Sequence, residues 1–410
     1  MTRGSSVLNG KKVGVIGFNA RPIAASLKKQ GALAYVSDYW GDLDLPEVST
    51  DCIAVLSPTP GVRQRQPLEL PLHESLIDNF RFLTNDVELD YLIVGSGFDD
   101  HPDLLAEFYT SGTLIGSAPN PIKSARNHSY VKSLEPYMQC NTPLHAEYHS
   151  FDELKEGVNG REFPYLIRPL HSGGGSGIRY IGNQDDLKRF LIAKQDEGKQ
   201  HSFAIQKYYR GHDYSCSVLS TGSDAKAVSV QAQLVGSPSA GRNCDFAYCG
   251  NFYPSGLHPT LEKKIVKTSE YLSTTLGLKG SIGFDFVVDE KNEIYLMEIN
   301  PRIQGTLEML EIAGDISITE EHVRAANQDL LENIPKFQPV VKMIVYSRRT
   351  GTVPNLSLFS NTFDITPKDV LVNRGDPICT VVKSEGDLLN CYRKTCETVY
   401  EIQRQITSLK

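Results

Sequence analysis

At 410 residues, with a formal net charge of -7 and a pI near 5.8, the chain is too long for one typical core and carries no basic footprint for nucleic acid. No apolar run approaches the roughly 20 residues of a membrane helix, and "MTRGSSVLNGKK" has no apolar leader segment, so two or three domains in the cytoplasm, with neither nucleic-acid nor membrane partners, are expected. The eight cysteines include no CxxC pair, which points to free thiols rather than a zinc or disulfide framework.

In chain order, "KKVGVIGFNARPIAASLKKQGALAYVSDYW" reads as strand, glycine turn, helix and a second strand ending at Asp38. "DCIAVLSP" and "DYLIVGSGFDDHPDLL" add two strand-like runs, an alternation that indicates a parallel sheet with crossover helices in a domain covering residues 1–120. Gly14 and Gly17 do not complete G-x-G-x-x-G, so the nicotinamide fingerprint is only partial. Open sheets of this kind bind ligands outside the carboxyl ends of their strands. "GSGFDD", residues 95–100, occupies such a place, and Ser96, Asp99 and Asp100 are substrate candidates, the two acids for a cationic amine.

From Pro119 the character shifts. "NPIKSARNHSYVKSLEPYM" reads as helical, and Ser150 with Glu153 has capping-box spacing before the next helix. "FPYLIRPLHSGGGSGIRYI" is strand, glycine loop, strand, with Arg168 on the first strand. Glycines in "HSGGGSG" allow positive φ and let backbone N–H groups converge on an anion, although the G-K-[ST] ending of a Walker loop is missing. "HSFAIQKYYRGHDYSCSVLS" is a further strand pair between two helical stretches; in the second of these Leu261, Ile265, Leu272 and Leu276 keep one apolar face. The long, aromatic, glycine-rich segment 236–256 is expected to be a lid whose Arg242 or Tyr248 reaches the substrate.

"GSIGFDFVVDEKNEIYLMEINPR" reads as a hairpin around the turn Glu290 to Glu293. A four-residue loop sets Asp285 across from Glu298, and the period of two puts Glu298 and Asn300 on one face. Facing carboxylates repel at roughly 5 Å unless a cation lies between them. Two carboxylates and an amide oxygen suit a hard ion such as Mg²⁺, with phosphate oxygens completing its shell. Pro301 ends the strand, so Arg302 projects from its mouth. After the helix "ISITEEHVRAANQDLL", strands "VKMIVYSRR", "DVLVN" and "PICTVVK" and a closing amphipathic helix make a β-rich tail, residues 335–410.

In order along the chain, "RNHSYVKSL", "IRPLHSGGGSGI", "IQKYYRGHDYS" and "EINPR" resemble the motif set of the ATP-grasp superfamily of carboxylate–amine ligases. Within it, "GSGFDD", "FAYCGNFYP" and "EINPRIQGT" are similar to the carboligases grouped with the tyramine–glutamate ligase and the pyrrolysine-pathway ligase, which suggests an amino acid or small amine in cofactor biosynthesis. The fold implied is mixed α/β and α+β: an N-terminal Rossmann-like domain, an ATP-grasp domain over 121–334 whose two lobes clamp ATP, and the small β-rich C-terminal subdomain.

The resemblance implies that Asp285, Glu298 and Asn300 bind Mg²⁺ or Mn²⁺, two ions in all, bridging the ATP phosphates. It gives Arg302 the charge on the transferring γ-phosphoryl group and lets Gly173, Gly174, Gly175, Ser176 and Gly177 close over the phosphates. Gln206, Lys207, Tyr208 and Tyr209 become the hinge that holds adenine, and Asp213 takes the ribose hydroxyls. The family usually has lysines where this chain has His128 and Arg168; His128 is expected to be neutral at pH 7, and Lys132, one turn on, is the candidate to replace it. The implied partners are a small carboxylate and an amine, and a homodimer is compatible with them. Three other activities stay open: a biotin-carboxylase-like carboxylation of bicarbonate, a nucleotide-binding regulatory protein without turnover, and a nicotinamide-dependent oxidoreductase resting on the first domain.

Overall fold

The computed structural model describes residues 6–170, 173–194, 202–242 and 246–408. The first two residues of the glycine stretch at 171, and Cys244, lie outside them; the seven described cysteines are free thiols, as expected. Strands β1 (Lys12–Gly17), β2 (Leu33–Asp38), β3 (Asp51–Ala54) and β4 (Tyr91–Val94) form the expected parallel sheet, in the order β3-β2-β1-β4. Chain order reverses between β1 and β4, so the crevice at their carboxyl ends is where a ligand fits. A Cβ on Gly17 would sit 3.2 Å from the Gly95 Cα, so a side chain there would prise the two strand ends apart.

A second sheet, ordered β5-β8-β6-β7, contains β5 (His145–Tyr148), β6 (Tyr165–Pro169), β7 (Arg179–Ile181) and β8 (Phe203–Lys207). Tyr165, Ile167, Phe203 and Ile205 point from it into a core shared with Leu154 and Leu187 of the helices Phe151–Gly157 and Gln184–Lys194. Ser150 caps the first of these by accepting from Glu153 N–H at 3.1 Å. Upstream, the expected single helix is broken: Pro119–Arg126 ends, and Asn127 in extended conformation caps a new helix, His128–Ser133, by accepting from Tyr130 N–H at 2.9 Å.

The large sheet takes β9 (Gly211–Thr221), β10 (Ala225–Val235), β11 (Tyr248–Tyr253), β12 (Lys279–Asp289), β13 (Ile294–Asn300) and β14 (Val340–Tyr346). Of the later strands, β16 (Thr362–Phe363) and β18 (Pro377–Lys383) join it, giving the eight-stranded order β13-β12-β9-β10-β11-β14-β18-β16, while β15 (Gly351–Thr352), β17 (Leu371–Val372) and β19 (Thr407–Ser408) form a small sheet ordered β17-β15-β19. The tail beyond 335 therefore extends the large sheet, although Met343, Val345, Ile378, Val381, Val399 and Ile402 give it a core of its own. The lid expected over 236–256 is corrected in its second half. β11 is a central strand in which Gly250, at φ 133°, lets the backbone pass Lys342 where a Cβ would come 2.0 Å from its carbonyl oxygen. The helix Pro259–Thr275 buries Ile265 and Leu272, with Leu276 just beyond its end and Leu261 partly covered.

The first domain and the end of the large sheet share one core, in which Ile23 and Leu27 meet Leu307, Leu310 and Val323. Arg21, 2 % exposed, ties the same junction: Nη1 and Nη2 donate to the two Glu308 oxygens at 2.9 and 2.6 Å, and Nε donates to Asp364 at 2.8 Å. Nearby, His322 Nδ1 accepts from Ser281 N–H at 2.8 Å and its Nε2 lies 3.0 Å from the Ile115 carbonyl, to which it donates. Burial pushes this imidazole down to about 4. Between pH 4 and 6.5 the unfolded chain binds a proton that the native ring refuses, so stability is full above 6.5 and falls by up to about 3 kcal/mol as pH drops through that window. Urea midpoints of His322→Gln against pH are expected to lose part of this slope, and an unaltered slope would remove His322 as its source. Among the described residues no helix is long and apolar enough to cross a membrane.

Candidate nucleotide and metal site

The hairpin at the end of the large sheet turns more tightly than the sequence suggested. Asp289 N–H bonds to the Glu293 carbonyl at 2.9 Å and Asn292 adopts φ 62°, so three residues make the turn. Val287 consequently faces Tyr295, one position out of the expected register, until a bulge at Met297 inserts one residue. Beyond it Asp285 stands opposite Glu298, as expected, and Gly283 opposite Asn300.

Asn300 Nδ2 donates to Asp285 Oδ2 and Gln233 Nε2 to Asp285 Oδ1, both at 2.8 Å. Burial, and then the facing Glu298, push the Asp285 carboxyl up to about 7. Burial acts in the same sense on Glu298, but Arg126, Arg168 and Arg302 together outweigh it and hold that carboxyl below its usual range. Two facing carboxylates, one of them raised by burial and by its neighbour, and a neighbouring amide are donors that fit a hard divalent cation. Among the described residues no group of three or more His, Cys, Asp or Glu side chains is spaced to hold a metal; the third oxygen here belongs to an amide.

The guanidiniums bring the first domain to this hairpin. Arg302 Nε donates to Asp99 at 3.0 Å, and Arg126 Nε donates to Asp100 at 2.9 Å while its Nη1 donates to Glu298. Asp99 and Asp100 thus hold arginines here, where the sequence suggested an amine. Ser96 lies beside them and accepts from Phe18 N–H through its carbonyl at 2.8 Å.

On the facing sheet, His145 pairs with Gln206 and Gln206 with Leu166, so all three share a face with Arg168, two positions on. Arg168 Nη2 donates to His128 Nε2 at 2.9 Å, and the His128 ring stacks on His145 at 3.9 Å. Burial, then His145 and Arg168, push the His128 imidazole down to about 3, so it is neutral, as expected. Lys132, one turn on, donates through Nζ to both Glu135 oxygens at 2.9 and 2.7 Å. Among the described residues Arg168 Nε, Gln206 Nε2 and His145 Nδ1 are buried without a hydrogen-bond partner, three polar atoms on one face of this sheet.

The glycine loop folds against β11 at the same place. Gly174 O accepts from Tyr248 N–H at 3.2 Å, and a Cβ on Gly175, at φ 77°, would lie 1.7 Å from Phe246 O, so only glycine fits there. Gly173 and Ser176 close the turn through Ser176 N–H to Gly173 O at 3.2 Å, with Gly177 at φ 78°. Tyr248 donates to Asn251 Oδ1 at 2.5 Å and is pushed up by burial and by Asp285. Arg242 turns to the tail, donating to Gly375 O at 2.8 Å with its guanidinium 5.0 Å over Tyr346.

The ATP-grasp domain family matches residues 128–306, from the His128 helix to just past the β12–β13 hairpin. These residues form an ATP-grasp domain. An uncharacterized protein of Methanocaldococcus jannaschii is 24 % identical over 93 % of this chain and 91 % of its own length. The L-amino acid ligase of Bacillus licheniformis has a similar fold, with TM-score 0.72 and 14 % identity over 98 % of this chain and all of that one. So does the biotin carboxylase domain of the Hydrogenobacter thermophilus 2-oxoglutarate carboxylase, at TM-score 0.73 and 15 % identity over 98 % of this chain and 91 % of that one.

In the segment expected to form the hinge, Lys207 N–H is used on Leu144 O at 2.9 Å, Tyr208 N–H reaches Pro164 O at 3.4 Å, and Tyr209 stacks on Tyr295 at 3.7 Å. Asp213, beside Tyr208, is raised to about 6 by burial. Two site residues were missed from the sequence. Arg126 was hidden inside a stretch read as one helix, though Asn127 as a capping residue would have put it at a helix end. Gln233 had no local mark beyond strand alternation. In the N-terminal domain the acid that ends β2, which a dinucleotide's ribose would need, is spent: Asp38 accepts from the N–H groups of Ala20, Trp40 and Gly41 at 2.7, 2.7 and 3.1 Å.

Proposed function

We infer that the protein is an ATP-dependent ligase that joins a small carboxylate to an amine through an acyl phosphate. The observation that carries this reading is the facing pair Asp285 and Glu298, with the glycine loop bonded to Tyr248 near Asp285 and, on the four-stranded antiparallel sheet, three buried polar atoms that have no hydrogen-bond partner among the described residues. In it Arg168, Gln206 and His145 bind the nucleotide, Asp213 takes its ribose, and Gly173 to Gly177 shield the phosphates from water. Asp285, Glu298 and Asn300 would hold magnesium, or manganese in its place, which supplies charge neutralisation at the phosphate oxygens.

A carboxylate oxygen attacks the γ-phosphorus and the bond to the β-phosphate oxygen breaks, leaving ADP and a mixed anhydride. Arg302 stabilises the charge that develops there. The amine nitrogen then attacks the acyl carbon, phosphate leaves, and the nitrogen gives up a proton. Tyr248, beside Asp285 and Gly305, lies where the acyl group would be held.

A matrix of amines and carboxylates assayed for ADP release tests this. Release that requires one of each is expected. Release that needs bicarbonate and no amine would favour carboxylation, and tight ATP binding without any release would leave a regulatory protein.

A further inference from the structure

Two parallel lines of contacts join the loop after β4 to the metal hairpin. In one, Asp99 accepts from Arg302, whose Nη2 reaches Asn300 Oδ1 at 3.3 Å. In the other, Asp100 accepts from Arg126, which also donates to Glu298. Each guanidinium has one carboxylate partner outside the candidate metal triad and one oxygen partner inside it. The Arg126 and Asp100 side chains are 17 % and 20 % exposed, so the pair is shielded well beyond the surface norm. A cation seated on Glu298 and Asn300 would satisfy those oxygens itself and free one arm of each arginine, while Asp99 and Asp100 keep the other.

We propose that Arg126 is an anion-binding residue, held in place by Asp100, which turns from Glu298 to a phosphate oxygen of the nucleotide when a metal ion binds. Asp99 positions Arg302 in the same way. This rests on the ligase reading above and moves Asp99 and Asp100 from holding an amine to holding arginines. The exchange also links the two events: the metal recruits the polyanion by uncovering cationic arms as well as by its own charge.

The test uses the whole protein with Mn²⁺ alone, followed by electron paramagnetic resonance, and with inorganic tripolyphosphate added to the Mn²⁺-loaded protein, followed by calorimetry. Arg126→Gln removes a cation that competes for Glu298, so Mn²⁺ should bind about fivefold tighter. The same variant should bind tripolyphosphate about tenfold more weakly. Asp100→Asn leaves Arg126 to Glu298 alone and should weaken Mn²⁺ about threefold. Opposite shifts of the two ligands in Arg126→Gln are a signature that a mere strut would not produce, and shifts in the same direction, or none, overturn the proposal. Should Arg126→Gln fail to fold, an Mn²⁺ affinity unchanged or raised in Asp100→Asn overturns it as well. Glu298→Gln separates the two readings: if that variant binds Mn²⁺ like the wild type, the metal site itself is wrong.

Discussion

Glu298→Ala is expected to lower ADP-forming turnover by about 10³-fold, the scale of removing one preorganised electrostatic contact at a transferring group. The fold should survive. Glu298 has a side chain 33 % exposed and packs no core, and its loss leaves Arg126 on Asp100 and Arg302 on Asp99. A thermal midpoint within a few degrees of wild type, measured beside the turnover assay, would separate chemistry from stability. Wild-type turnover in this variant would defeat the assignment of the hairpin as the metal site.

The second large effect is on stability. Arg21→Met is expected to cost about 3–5 kcal/mol in urea denaturation, because removing one partner strands buried carboxylates rather than erasing a pair. Glu308 is met by two guanidinium nitrogens and Asp364 by a third, with Asp44 3.4 Å from the same Nε. Adding Glu308→Gln to Arg21→Met should recover part of the loss, since one stranded charge is then gone. A cost below about 1 kcal/mol would mean that water reaches these acids and the pairing contributes little.

Much of this architecture was readable from local pattern. Glycine punctuation and apolar runs marked the four parallel strands, and strand alternation placed Glu298 with Asn300. The opposition of Asp285 and Glu298 was foreseen for an incomplete reason: the turn is one residue shorter than read, and the bulge at Met297 returns the displaced residue. Partners far apart in the chain were not readable. Arg126 is 172 residues from Glu298 and Arg302 is 203 from Asp99, separations over which periodicity carries no information. Composition misled once, where glycine and aromatic residues at 248–253 suggested a loop. Gly250 is there because a strand must pass close to Lys342, a demand set by the neighbouring strand and invisible in the segment itself.

The continuity of the large sheet through β11, β14 and β18 has a consequence for dissection of the molecule. Cutting the chain after residue 335 would not detach an appendage. It would strip the partner from β11 and leave its amides and carbonyls as a raw border, next to the very tyrosine that the glycine loop grips. The large-sheet strands before residue 335 and those of the segment that follows therefore form one sheet, and removing the second set would expose an edge in the middle of it.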